Sequence, residues 1–419
     1  MSVFKNIVLV RIYNMAIRGI TMASKLFLIV VLAKLLEPSE VGKFGLFITS
    51  ITIGVLIIGS DFYAYSQREL LKRSKEEWSF VIQHQFIATL LLYILLLPFT
   101  ILLFVFELLP KEFIYIFYFI LVLEHIAQEI NRLLIIMQRQ LLASLVLFIR
   151  SSIWIWIALP LMWTIPILNN LNTIFVAWII GSFLSILLGV YLVYKEVPNW
   201  KLYRFNKQWL MKGLQVGAFF FFSTIAYQLI LTLDRYIIES YGTNIELGVY
   251  VFYISLILGV SGFLQASIFS FLYPKLIRYY SSIDKVNFKN TMQELTYSTI
   301  GLSLIFIIFL FIVIPFIIDW IDKPIYSEYL ELFYILLSML FFFALAQVPH
   351  QGLYAMNKDK IIVYSHMTGL LIFLICVYIL QELNILISVS LSLNITFIWL
   401  GFIKYYYYFK YSKIFYRKE

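Results

Sequence analysis

Twelve apolar stretches, each long enough for about 20 helical residues, follow one another along this chain. They run near 11–36, 41–62, 79–106, 113–135, 141–163, 172–194, 211–234, 247–273, 293–318, 328–350, 360–380 and 385–409. Turn chemistry separates them at Glu37-Pro38-Ser39, Leu109-Pro110-Lys111, Asn169-Asn170, Gly242-Thr243-Asn244 and Asp322-Lys323-Pro324. Over 419 residues, 62% are hydrophobic and 13% charged, more apolar surface than a soluble fold of this size hides. The fold class expected is therefore an all-α polytopic membrane protein. No loop is long enough for a domain. The opening MSVFKNIVLVRIYN lacks a short apolar core followed by a small-residue cleavage site, and reads as an uncleaved leader into the first helix.

The basic residues set an orientation. Alternate loops hold 24 of the 32 lysines and arginines, from Lys5 and Arg11 through Lys358 and Lys360 to a last group of Lys404, Lys410, Lys413, Arg417 and Lys418. The intervening loops hold only Lys34, Lys43, Lys111, Arg235 and Lys323. This asymmetry places both termini in the cytoplasm, and its clean alternation supports the count of twelve. The net charge of +9 reads as topology, so no nucleic-acid partner is expected. The single Cys376 excludes an intramolecular disulfide and a multi-cysteine metal site. No metal and no cofactor is expected. Most aromatic residues lie in or beside the spans, as packing and interfacial belts.

An internal repeat divides the chain. Glu40-Val41-Gly42-Lys43-Phe44 returns as Glu246-Leu247-Gly248-Val249-Tyr250, 206 residues later. Both copies open an even-numbered span, where glycine suits close helix approach and glutamate complements the helix dipole. Six spans per half give both halves the same orientation, so two parallel-repeat six-helix lobes are expected, over 1–200 and 201–419, with a substrate path between them.

Charges inside the spans say what such a protein carries. Arg18 and Lys25 are seven residues apart and return to one face of the first helix, with Arg11, Asn14 and Thr21 on the same stripe. A charge in hydrocarbon costs at least ~2.5–3.5 kcal/mol, so these cations are expected to face a cavity or a partner. Arg150 lies near mid-depth in the fifth span. The fourth carries Glu124, His125, Gln128, Glu129 and Arg132, with Glu124 and His125 near mid-depth. Arg18, Lys25 and Arg150 against Glu124 and Glu129 leave an excess of one positive charge, a sign that favours a pyrophosphate headgroup over a cationic drug. Arg18, Lys25 and Arg150 are thus candidate substrate-binding residues. Glu124, His125 and Glu129 are candidates for coupling to protons.

Plainer readings stand beside these. Arg18 reads also as snorkelling to the headgroups. Glu124 reads equally as the fixed partner of Lys25 or Arg150, and His125 as an interhelical hydrogen-bonding residue. Glu129 and Arg132 read as an i, i+3 pair. Asp61 is expected to be solvated, His350 to be exposed near a span end, and Asp234-Arg235 to be a local pair at the outer rim. Gln228, Gln265 and His366 are the remaining polar candidates of the second half.

Twelve spans with a basic first helix leading into Leu-Leu-Glu-Pro-Ser-Glu-Val-Gly-Lys-Phe-Gly resemble the polysaccharide flippases of the multidrug/oligosaccharidyl-lipid/polysaccharide exporter superfamily. Within it the likeness is to O-antigen and capsule repeat-unit flippases of the bacterial inner membrane. The resemblance implies two V-shaped lobes, alternating access, and movement of an undecaprenyl-pyrophosphate-linked oligosaccharide from the inner to the outer leaflet. It also implies a first helix whose cations face a central cavity. The implied partners are that lipid-linked oligosaccharide, membrane lipids and other polysaccharide-assembly membrane proteins. A multidrug exporter of the same superfamily is the rival transporter, and should show an acidic cavity. A membrane-embedded polysaccharide-modifying enzyme is the rival of another class, with His125 its only foothold. No phosphate-binding glycine loop is present, and no enzymatic activity is expected.

Overall fold

A computed structural model describes residues 2–417, and the side chains of residues 13–417. The Arg11 side chain lies outside the described residues. The described chain is helical throughout its ordered elements and contains no strand. Among the described residues twelve helices are long and apolar enough to cross a membrane, as the hydropathy pattern predicts. Spans 1–6 are Tyr13–Leu35, Pro38–Gly59, Lys75–Val105, Lys111–Ile136, Gln140–Thr164 and Leu171–Glu196. Spans 7–12 are Lys207–Ile230, Asn244–Ser281, Lys285–Ile321, Leu330–Ala355, Asp359–Ile379 and Ile385–Arg417.

The breaks between spans follow the turn residues. Asn170 caps span 6, its side chain accepting from Thr173 N at 3.1 Å. Thr243 and Glu246 form a reciprocal capping box at the start of span 8, which gives the second repeat glutamate a hydrogen-bonding role beyond its charge. Asp322 ends span 9 in the left-handed region, at φ 58°. Span 2 ends earlier than its hydropathy suggests, because Ser60 and Asp61 both turn to positive φ, 42° and 51°.

By contact the chain divides into two compact units. One comprises Met1–Leu28 with Lys43–Ile225, the other Ile29–Gly42 with Ala226–Glu419. Residues 29–42, at the junction of spans 1 and 2, therefore pack with the second half of the chain. Residues 201–225, the beginning of span 7, pack with the first.

In the first unit, spans 1 and 5 run side by side in the same direction. Ser144 bonds Asn14 and Arg18, Ser152 donates to Thr21 O at 3.4 Å, and Trp156 Nε1 donates to Ser24 Oγ at 2.9 Å. Spans 4 and 6 are parallel too: Glu124 meets Ser182, and Ile130 packs on Gly189. The second unit repeats this arrangement in spans 10 and 12. There Ser338 meets Asn394, Ala346 packs on Gly401, and Gly352 packs on Tyr408. Within each unit these pairs of like parity run the same way.

Candidate functional site in the first unit

The charged residues of spans 1, 4 and 5 do not gather into one cluster. Three groups form, sorted by the roughly 100° turn between successive helix residues.

The first group holds Lys25, Glu124 and Arg150. Arg150 sits in a π-helical turn, Ile149–Ile153, which interrupts span 5. Its Nε lies 3.5 Å from Glu124 Oε2. The other carboxylate oxygen, Glu124 Oε1, accepts from Trp178 Nε1 at 2.8 Å and Ser182 Oγ at 2.8 Å, both on span 6. Glu124 therefore links Arg150 of span 5 to Trp178 and Ser182 of span 6. Arg150 keeps capacity beyond this pair, since its Nη1 is buried without a hydrogen-bond partner. Lys25 lies within electrostatic reach of both Arg150 and Glu124. Among the described residues it makes no hydrogen bond or ion pair, and its side chain is exposed.

The second group lies two helical turns away along span 1. Arg18 Nε donates to Ser144 Oγ at 3.0 Å, and Ser144 in turn donates to Asn14. No carboxylate pairs with Arg18 among the described residues.

The third group is turned away from Lys25. Glu129 accepts from Arg132 Nη1 at 2.5 Å and from Gln85 Nε2 at 2.5 Å. The Arg132 guanidinium also covers the Tyr63 ring at 3.6 Å. His125 Nδ1 lies 2.8 Å from Tyr93 OH, while its Nε2 is buried without a partner against Gly59. With Glu129 neutralised by Arg132, the first two groups carry Arg18, Lys25 and Arg150 against Glu124 alone. The local excess is two positive charges rather than one.

Three expectations need correction. Asp61 is not solvated. It is 3% exposed, with Oδ2 unpartnered and Thr224 as its side-chain hydrogen-bond partner. Burial pushes its carboxyl above the ordinary range. The cause is span 7, which lays Gly217 against the backbone of Ser60 and closes over the turn. Asp234 and Arg235 do pair, at 2.9 Å, but are buried rather than at a rim, because Tyr250 OH donates to Asp234 Oδ2 at 2.5 Å from span 8. His350 is half-buried, stacked on His366 with ring centroids 5.7 Å apart. One further cation is buried. Lys404, counted with the basic tail, is 1% exposed inside span 12. Its signal was the continuing run Gly-Phe-Ile-Lys-Tyr-Tyr-Tyr-Tyr-Phe, apolar and aromatic on both sides.

A family model described as polysaccharide biosynthesis protein matches residues 10–280. A comparison with curated proteins finds no match. Among solved structures, the inward-facing conformation of a multidrug resistance MATE family transporter of the MOP superfamily is 13% identical with a TM-score of 0.75, covering 97% of this chain and 99% of that one. The outward-facing conformation of such a transporter is 12% identical with a TM-score of 0.67, covering 98% and 96%. MATE in the bent conformation is 12% identical with a TM-score of 0.66, also covering 98% and 96%. At these identities the likeness is one of fold.

Proposed function

The chain belongs to the polysaccharide biosynthesis protein family, and we propose that it is a flippase for an undecaprenyl-pyrophosphate-linked oligosaccharide repeat unit. It carries the lipid from the cytoplasmic to the outer leaflet of the bacterial inner membrane by alternating access. The repeat unit belongs to an O-antigen or capsule pathway. Both termini are cytoplasmic, as the placement of lysines and arginines supports. The alternating bodies are the two halves, 1–200 and 201–419, exchanging residues 29–42 and 201–225 as the contacts divide them. The fold supports such a cycle, because related structures carry inward-facing and outward-facing descriptions.

The observation that carries this reading is the unspent donor capacity beside Lys25. A pyrophosphate diester brings two ionised oxygens, and Arg18, Lys25 and Arg150 with Glu124 leave two positive charges to meet them. Among the described residues Lys25 is exposed and makes no ion pair, and Arg150 Nη1 has no hydrogen-bond partner. A drug exporter for cations calls for the opposite sign. Coupling follows from the same geometry. A headgroup that draws Arg150 from Glu124 leaves that carboxylate without its cation, and this exchange is the proposed link between substrate and coupling. His125 and Glu129 stand further from this exchange, held by Tyr93 and by Arg132 with Gln85. Lipids surround the spans, and polysaccharide-assembly proteins are the expected neighbours.

The test is export in cells that depend on this protein for surface polysaccharide. Lys25→Ala should reduce surface polysaccharide tenfold or more at unchanged protein level, and Lys25→Arg should restore much of it. A charge-assisted hydrogen bond of about 1.5–3 kcal/mol corresponds to a loss of that size. Export by Lys25→Ala at the wild-type level would contradict the assignment.

A further inference from the structure

The second unit holds a cavity of about 410 Å³ between spans 8 and 10. That volume falls in the usual range of small-molecule pockets, about 300–1,000 Å³. Span 8 is interrupted there by a π-helical turn, Gln265–Phe269, and carries Pro274 shortly after it. Proline has no N–H to give, so the carbonyl of Ser270 loses its ordinary helical donor. Gln265, Ser270 and Pro274 all line the cavity.

Span 10 faces this break with Gln351 and Tyr354. Gln351 is 8% exposed, and a buried amide ordinarily has a partner. Among the described residues the side-chain amides of Gln351 and Gln265 bond to no protein group. Each offers an acceptor and two donor hydrogens to whatever enters. The rings of Tyr354 and Tyr273 meet with centroids 5.3 Å apart and planes at 55°, an aromatic corner in the same wall. Among the described residues no lysine, arginine, aspartate or glutamate lines the cavity.

These features select a ligand. Two unspent amides and a released carbonyl suit a molecule with several hydroxyls, since a hydroxyl both donates and accepts. The tyrosine faces suit an apolar surface on the same molecule, because the negative face of a ring attracts C–H edges. An ionised group would find no fixed opposite charge in the wall to offset its desolvation. A pyranose ring joins the first two properties, with hydroxyls around its rim and C–H bonds on its faces. An acyl chain would leave the buried Gln351 amide unbonded, which is costly.

We propose that this cavity binds an uncharged pyranose residue, with Gln265 and Gln351 bonding its hydroxyls and Tyr273 and Tyr354 covering its C–H face. The sugar belongs to the oligosaccharide of the carried lipid, and in this the proposal rests on the flippase reading above. On the orientation supported by the lysines and arginines, spans 8 and 10 end on the cytoplasmic side, where that lipid is taken up. The site adds a preference for neutral over acidic sugars, which pyrophosphate-binding cations do not supply.

Saturation-transfer NMR on the full chain in lipid nanodiscs tests the site with no lipid carrier and no transport step. The probes are the methyl glycosides of glucose, galactose, mannose and N-acetylglucosamine, with that of glucuronic acid as the charged counterpart. Working at about pH 8 keeps ordinary imidazoles neutral. At least one neutral glycoside should receive magnetisation above the level of empty nanodiscs. Gln351→Leu, which removes a buried unbonded amide and should fold, is expected to cut that transfer about fivefold or more. Tyr354→Ala should cut it as well, and Tyr354 is 38% exposed, so its loss is tolerable to the fold. Transfer to no neutral glycoside, or transfer unchanged in both variants, would overturn the proposal. So would a glucuronide signal equal to the strongest neutral one. Wild-type export by Lys25→Ala would instead contradict the flippase reading and leave the glycoside binding as measured.

Discussion

Gly42 and Gly248, the equivalent glycines of the two repeat motifs, pack against each other. A Cβ built on Gly42 would lie 3.0 Å from Gly248 N, and one on Gly248 would lie 1.7 Å from the carbonyl oxygen of Pro38. The repeat therefore marks a contact as well as a symmetry, where the starts of spans 2 and 8 cross with no room for a methyl group. Gly248→Ala should cut the yield of folded protein severely, since backbone rather than a flexible side chain must move. Gly19→Ala and Gly301→Ala, where a Cβ meets nothing within 4 Å, should be neutral or slightly stabilising. Thermal unfolding in detergent, read by size-exclusion of heated samples, ranks the three.

Glu124→Gln tests how firmly the carboxylate is held. The amide keeps an acceptor for Trp178 and Ser182 but leaves Arg150 with no opposite charge. Breaking a fully buried pair costs about 3–5 kcal/mol, and this half-buried pair should cost less but still lower the melting temperature. Combining it with Arg150→Gln should recover part of that loss. A double mutant no better than the sum of its parts would show the pair to be uncoupled.

Asp61 should make the protein less stable as pH rises. Its folded carboxyl binds a proton more readily than the unfolded one, because burial raises it. The sign follows from linkage: the native state holds the extra proton between the unfolded value of about 3.9 and the raised folded value, so stability falls as pH climbs through that window. Asp61→Asn should remove this component and raise the melting temperature at neutral pH. A lower melting temperature in Asp61→Asn, with the pH dependence intact, would contradict the burial argument.

Tyr250→Phe removes the hydroxyl that donates from span 8 to Asp234 Oδ2 on the short helix Leu233–Tyr241. A buried carboxylate oxygen left without its donor costs about 1–3 kcal/mol. Destabilisation of that order is expected from unfolding in the presence of denaturant, and an unchanged unfolding midpoint would contradict it.

Hydropathy and turn residues made the twelve spans legible, because each crossing must be long and apolar whatever it packs against. Depth was legible too: Glu124 and Arg150 were expected near the same level, and they pair. Direction was not. Glu124 and Glu129 are five residues apart on one helix, yet one meets span 6 and the other meets Gln85 of span 3, and no periodicity names the neighbour. Asp61 looked solvated because it follows an apolar run, and only the approach of span 7 buries it. Lys404 looked like part of a basic tail because its helix continues to Arg417, past the point where the hydropathy fades.

The most direct measurement is transbilayer movement in vesicles that contain only the purified protein and an undecaprenyl-pyrophosphate-linked oligosaccharide. Exposure of the sugar to an enzyme confined to one side reports each crossing. Wild-type protein should move the lipid, and Lys25→Ala should slow it tenfold or more while its melting temperature stays unchanged. Movement no faster than in protein-free vesicles, or equal rates for wild type and Lys25→Ala, would contradict the account.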